Sequence, residues 1–116
     1  MNALDLPIQE VAFKIDNEDL GVLLTALNHW GKTTKPTCVE VKMNIYSLRK
    51  LRQKMEVRLA QTKNSKKEFK LRIEPVQAYS MINVMSVVLT ETPGNSYEAN
   101  VLRRYKDSFH QTLTGI

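Results

Sequence analysis

The chain has 116 residues, of which 42% are hydrophobic and 25% are charged, and its net charge is +5. This length suits a single domain over residues 1–116 that buries a core without disulfides or metal ions, and the composition excludes disordered and fibrous proteins. The longest apolar stretch, from Ala78 to Leu89, is too short to span a bilayer, so we expect no membrane partner.

The first half of the chain predicts one strand and two helices. Residues 1–10 have no clear period and are expected to form an irregular lead-in. Apolar and other residues then alternate from Val11 to Ile15, which predicts a short strand with one buried face. Asp16 is placed to cap a helix that ends at Gly31. A second helix is expected from about Thr37 to about Thr62.

The second half repeats this order. The alternation from Phe69 to Ile73 predicts a strand, and Pro75 is suited to the first turn of a helix that runs to about Leu89. Ser96 is expected to cap a last helix that extends to about Leu113. Apolar residues nearly encircle the helix that starts at Pro75, so we expect it to be central and to expose one narrow polar strip. This strip consists of Gln77, Ser80, Asn83 and Ser86.

These elements predict a mainly helical α+β fold in which a strand-helix-helix unit occurs twice, in halves 11–62 and 69–113. Two short strands are expected to pair beneath four helices, with an all-α bundle as the alternative. Residues 14–28 aligned with residues 72–86 share one identity in fifteen positions, Ile15 with Ile73, and the later helices also align once seven residues of the intervening region are dropped. Pseudo-symmetric packing and a true duplication therefore both remain open.

Self-association is expected because a two-stranded sheet is marginal in water and leaves open edges. Two copies joined edge to edge would form one four-stranded sheet. Closed twofold dimers are also the commonest assembly. We therefore expect a homodimer, with a sheet that stays two-stranded as the alternative.

Positive charge is concentrated in one segment. Lys42 to Arg72 contains eleven of the 17 Lys and Arg residues and two of the 12 acidic residues, so its net charge is +9 and that of the remainder is −4. Within it, basic residues recur at helical spacing and continue beyond the helix end, a pattern that can follow the phosphates of a polyanion. A solvated helix face is the alternative. The residues of this candidate contact are Lys50, Lys54, Arg58, Lys63, Lys66 and Lys67.

Arg52 falls inside the apolar arc of the second helix, where a charge must reach solvent, form an ion pair or contact a partner. A pair with Glu56, four residues further on, is the ordinary explanation. An interface or ligand contact is the functional one.

The cysteine and histidine residues indicate the cellular compartment and limit the metal sites and catalytic sites that the chain can form. Cys38 is the only cysteine, which favours a reducing compartment, so we expect the cytoplasm and a buried thiol. His29 and His110 have no second ligand at metal-binding spacing, so no metal site is predicted. His29 is expected to cap the first helix and to interact with its dipole. No motif predicts a catalytic residue or a cofactor.

The sequence therefore predicts a small non-catalytic interaction or structural module that self-associates. The alternative is a nucleic-acid-binding accessory protein that uses the basic residues of segment 50–67. A third hypothesis is a ligand-binding or catalytic cleft of a dimer near Arg52 and Cys38.

Overall fold

The computed structural model describes residues 10–114, so the predicted lead-in lies almost wholly outside the described residues. Four helices and a two-stranded antiparallel sheet confirm the predicted mainly helical α+β fold and exclude the all-α alternative. The elements are β1 (Val11–Ile15), α1 (Asn17–Thr33), α2 (Val39–Gln61), β2 (Phe69–Ile73), α3 (Pro75–Thr90) and α4 (Tyr97–Thr114).

The sheet forms because both strands have an apolar residue at every second position. β1 and β2 pair with Val11 opposite Ile73 and Ile15 opposite Phe69. One face of the sheet is turned to the helices and is buried, apart from the half-buried Phe69. The opposite face is exposed and carries three basic side chains and one alanine: Ala12, Lys14, Lys70 and Arg72.

The core lies between this sheet and the helices. An aromatic cluster joins β1 to α4, where the rings of Phe13 and Phe109 pack edge to face with centroids 4.8 Å apart. α1 and α3 contribute fully buried side chains such as Leu20, Leu23 and Met81. Within residues 10–114, no helix combines the length and the apolar character that crossing a membrane requires.

The helix boundaries differ from those predicted at two places. Asp16 caps α1 as expected, because its Oδ1 accepts from the Asp19 main-chain N–H at 2.8 Å. Gly31 does not end the helix: its φ is not positive, so it forms no left-handed cap, and α1 continues to Thr33. α2 begins at Val39, two residues later than predicted.

The predicted polar strip of α3 is wrong at its first two positions. Gln77 and Ser80 are buried, whereas Val76 and Tyr79, each of which directly precedes one of them, are exposed. Gln77 faces inward because its Oε1 accepts from the Glu74 main-chain N–H at 2.9 Å and completes a capping box. Ser80 faces inward because it forms hydrogen bonds with α2, which are described below. Polar pairing, and not apolar burial alone, therefore sets the rotation of α3.

Candidate polyanion-binding groove

A groove of about 730 Å³ lies between α2 and β2 and is lined by five basic side chains. Three belong to α2, where a spacing of four residues places them on one helical face. Two belong to β2, where a spacing of two residues places them on the exposed face of the sheet. No carboxylate lines the groove within the described residues. The five cations, which we call the basic groove, are Lys50, Lys54, Arg58, Lys70 and Arg72.

Two of these side chains are held by the protein itself. Lys54 Nζ donates to the main-chain carbonyl of Arg72 and so links α2 to β2. The guanidinium carbon of Arg58 lies 4.9 Å from the ring centroid of Phe69, a cation–π contact. Arg58 Nε is buried and has no hydrogen-bond partner within residues 10–114. The groove is therefore partly preorganised.

None of the groove cations is neutralised by an ion pair within the described residues, although Glu40 and Glu74 line the depression next to the groove that Lys50 also lines. The one ion pair on α2 joins Arg52 Nε to Glu56 Oε1 at 3.8 Å, and neither residue lines the groove. Because no carboxylate neutralises the five charges, their positive potential is directed into the groove and to solvent.

The structure brings together only half of the predicted basic residues. Lys50, Lys54 and Arg58 line the groove. Lys63 lies elsewhere, in a shallow depression that also contains Glu18 and Glu56. The remaining two, Lys66 and Lys67, are exposed in the connector before β2 and do not line the groove.

Lys70 and Arg72 were missed at the sequence level. The alternation of β2 does place both on the exposed face, so that signal was present. What the sequence lacked was the position of α2 beside β2, which turns two separate basic patterns into one surface.

Arg52 follows the ordinary explanation, because its side chain is half exposed and pairs with Glu56. It also lines a separate pocket of about 310 Å³ beside Trp30 and Arg49. Cys38 does not line this pocket, so the two residues of the hypothetical cleft are not brought together there.

Cys38 and His29 both differ from expectation. Cys38 is exposed, not buried, because it precedes α2 at the N-cap position in an exposed connection. His29 lies inside α1, which continues beyond it, and its Nε2 is 2.8 Å from Glu91 Oε2. It therefore contacts the end of α3 and does not cap α1. Within residues 10–114, no group of three or more His, Cys, Asp or Glu side chains is arranged to hold a metal ion.

Comparison with known proteins adds no assignment to this site. No protein-family model, curated protein or solved structure matches the chain. The functional argument therefore depends on the geometry and charge of the described residues.

Proposed function

We propose that this protein is a binding module that holds the phosphate backbone of a nucleic acid in the basic groove. One observation carries the proposal: five cations from two separate elements line one groove that no described carboxylate enters. Cations arranged in this way bind phosphates and release their condensed counterions, which is the main source of affinity in sequence-independent binding.

The alternative, a solvated helix face, accounts less well for the arrangement. Lysines on such a face extend separately into water and are usually mixed with acidic residues. Here Lys54 and Arg58 are each held against β2, and Lys70 and Arg72 complete a concave surface. Fixed cations on a concave surface lose less conformational entropy when an anion binds.

Fluorescence anisotropy with labelled oligonucleotides across a salt series tests the proposal. The double variant Lys50→Glu/Lys70→Glu reverses two exposed groove charges without touching the Lys54 and Arg58 contacts. Lys35→Glu/Arg103→Glu is the matched control, because it changes net charge equally at exposed positions outside the groove.

We expect the groove variant to lose at least tenfold in affinity at low salt and the control to lose much less. Equal losses of affinity in the groove variant and the control would mean that only the total charge matters, and would contradict binding in the basic groove. An absence of binding by the unmodified protein at low salt would reject the proposal outright.

Self-association is a second proposal, favoured by the open sheet. Within residues 10–114, β1 and β2 pair only with each other, so each has an outer edge without a strand neighbour. A junction between two β2 edges would, however, bring the Lys70 and Arg72 side chains of both copies together, and like charges disfavour it. Light scattering over a range of concentrations tests the homodimer, and a constant monomer mass would contradict it.

We also propose that the protein is non-catalytic and acts in the cytoplasm. The single cysteine supports a reducing compartment. The lack of any sequence motif for a catalytic residue supports a non-catalytic role. Fluorescence microscopy of the tagged chain tests the compartment, and a secreted location would contradict it.

A further inference from the structure

A second surface adjoins the basic groove at Lys50. This residue lines both the groove and a neighbouring depression of about 490 Å³ between α2 and α3. The depression has exposed apolar and aromatic side chains on its rim, which we call the aromatic surface. Its residues are Met43, Tyr46, Val76 and Tyr79, and the same depression is also lined by the carboxylates of Glu40 and Glu74.

The aromatic surface and the basic groove form one continuous stripe along α2. Met43, Tyr46, Lys50, Lys54 and Arg58 follow at spacings of three and four residues and so lie on one face of the helix. From Tyr46 to Arg58 this face is about 18 Å long, at about 1.5 Å per residue. The stripe is aromatic at its N-terminal end and cationic at its C-terminal end.

The two tyrosines are presented to solvent by the structure. Tyr46 is 67% exposed and Tyr79 is 54% exposed. Tyr79 faces outward because Ser80 faces inward, where its hydroxyl lies 3.0 Å from Asn44 Oδ1 and 2.9 Å from Ser47 Oγ. The polar contact between α2 and α3 therefore keeps an aromatic ring on the surface beside Lys50.

We propose that the ligand of the combined surface is single-stranded nucleic acid, an inference that rests on the proposed polyanion function. Phosphates would occupy the basic groove, and unpaired bases would stack on Tyr46 and Tyr79. Aromatic platforms beside a cationic groove are how proteins hold single strands without sequence preference. A duplex keeps its base faces stacked inside, so it uses the cations but not the tyrosine rings.

The test compares labelled oligothymidylate of about 12 nucleotides with a duplex of the same length, in anisotropy measurements at one salt concentration. The variants are Tyr46→Ala and Tyr79→Ala, with Tyr46→Phe and Tyr79→Phe as controls that keep the ring. Both tyrosines are exposed, so all four variants should fold, and circular dichroism checks this. An oligouridylate arm distinguishes RNA from DNA through the 2′-hydroxyl.

We expect tighter binding of the single strand than of the duplex. Each alanine variant should weaken single-strand binding by at least about fivefold, which corresponds to about 1 kcal/mol, whereas duplex binding stays unchanged. The phenylalanine variants should bind within about twofold of the unmodified protein, because stacking needs only the ring.

Four outcomes would overturn the inference. Equal binding of single strand and duplex would reject stacking, and so would alanine variants that bind the single strand as tightly as the unmodified protein. If Lys50→Glu/Lys70→Glu still abolished binding in either case, the proposed polyanion function would survive. Conversion of a dimer to a monomer by Tyr46→Ala or Tyr79→Ala would identify the aromatic surface as an interface between copies. Failure of every oligonucleotide to bind at low salt would reject both proposals together.

Discussion

Arg104 donates from its Nη2 to Oδ2 of Asp19 over 2.6 Å, which ties the last helix to the first turn of α1. The Asp19 carboxylate is almost fully buried and also accepts from the hydroxyls of Tyr97 and Tyr105. The dipole of α1 alone would favour an acidic residue at this position. The structure shows a buried acceptor shared by three donors of α4.

Asp19→Ala is expected to lower the free energy of unfolding by about 2–3 kcal/mol, because it leaves the buried Tyr105 hydroxyl without its charged acceptor and removes the contacts with Arg104 and Tyr97. Exposed Glu18→Ala, in the same helical turn, is the control and should cost about 0.3–1 kcal/mol through the dipole. Urea unfolding monitored by circular dichroism measures both. Equal losses would mean that Asp19 contributes through the dipole and not through α4.

Tyr105 predicts a loss of stability at alkaline pH. Burial, followed by the charge of Asp19, raises the pKa of its hydroxyl above the ordinary value of about 10. Below pH 10 both the folded and the unfolded chain keep the proton on the Tyr105 hydroxyl, so the contribution of Tyr105 to stability is fully present. Above pH 10 the unfolded chain releases it while the folded chain does not, so stability falls as pH rises.

In Tyr105→Phe this proton is absent. The stability advantage of the unmodified protein over the variant should therefore shrink above pH 10, by up to about 1.4 kcal/mol per pH unit. Urea unfolding at several pH values up to 12 measures the difference. A difference that does not change with pH would show that the hydroxyl ionises equally in both states.

The salt dependence of binding should show which individual groove cations contact a phosphate. Lys70→Ala is expected to reduce the slope of log K against log salt by about 0.7 for a single strand and about 0.9 for a duplex. Lys35→Ala, outside the groove, should leave the slope unchanged. Anisotropy titrations at four or more salt concentrations measure it. A slope that Lys70→Ala leaves intact would exclude a phosphate contact at Lys70.

A substitution at Ser80 measures how much the polar contact between α2 and α3 contributes to the stability of the fold. Ser80→Ala should destabilise the fold by about 1–2 kcal/mol, because it removes the hydroxyl that pairs with Asn44 and Ser47. Ser86→Ala is the matched control on the same helix, since its hydroxyl only returns to the Ile82 carbonyl. Thermal unfolding compares the two, and equal melting temperatures would show that the contact adds no stability.

Local pattern was sufficient for the elements of this fold. Period-two alternation located β1 and β2, and Asp16 located the start of α1, because each signal depends on neighbours within a few residues. Boundaries were less accurate where a cap depends on backbone conformation, as at Gly31. Lys50, Lys54 and Arg58 were likewise visible as one helical row.

Contacts between elements distant in the sequence required the tertiary structure. The packing of α2 beside β2 added Lys70 and Arg72 to the helical row and excluded Lys63 from it. The hydrogen bonds of Ser80 with α2 turned Tyr79 outward, against the prediction from hydrophobicity alone. The physical reason is that the neighbours of a charged or aromatic side chain belong to whichever segment packs beside it. The periodicity of one segment does not show which other segment that is.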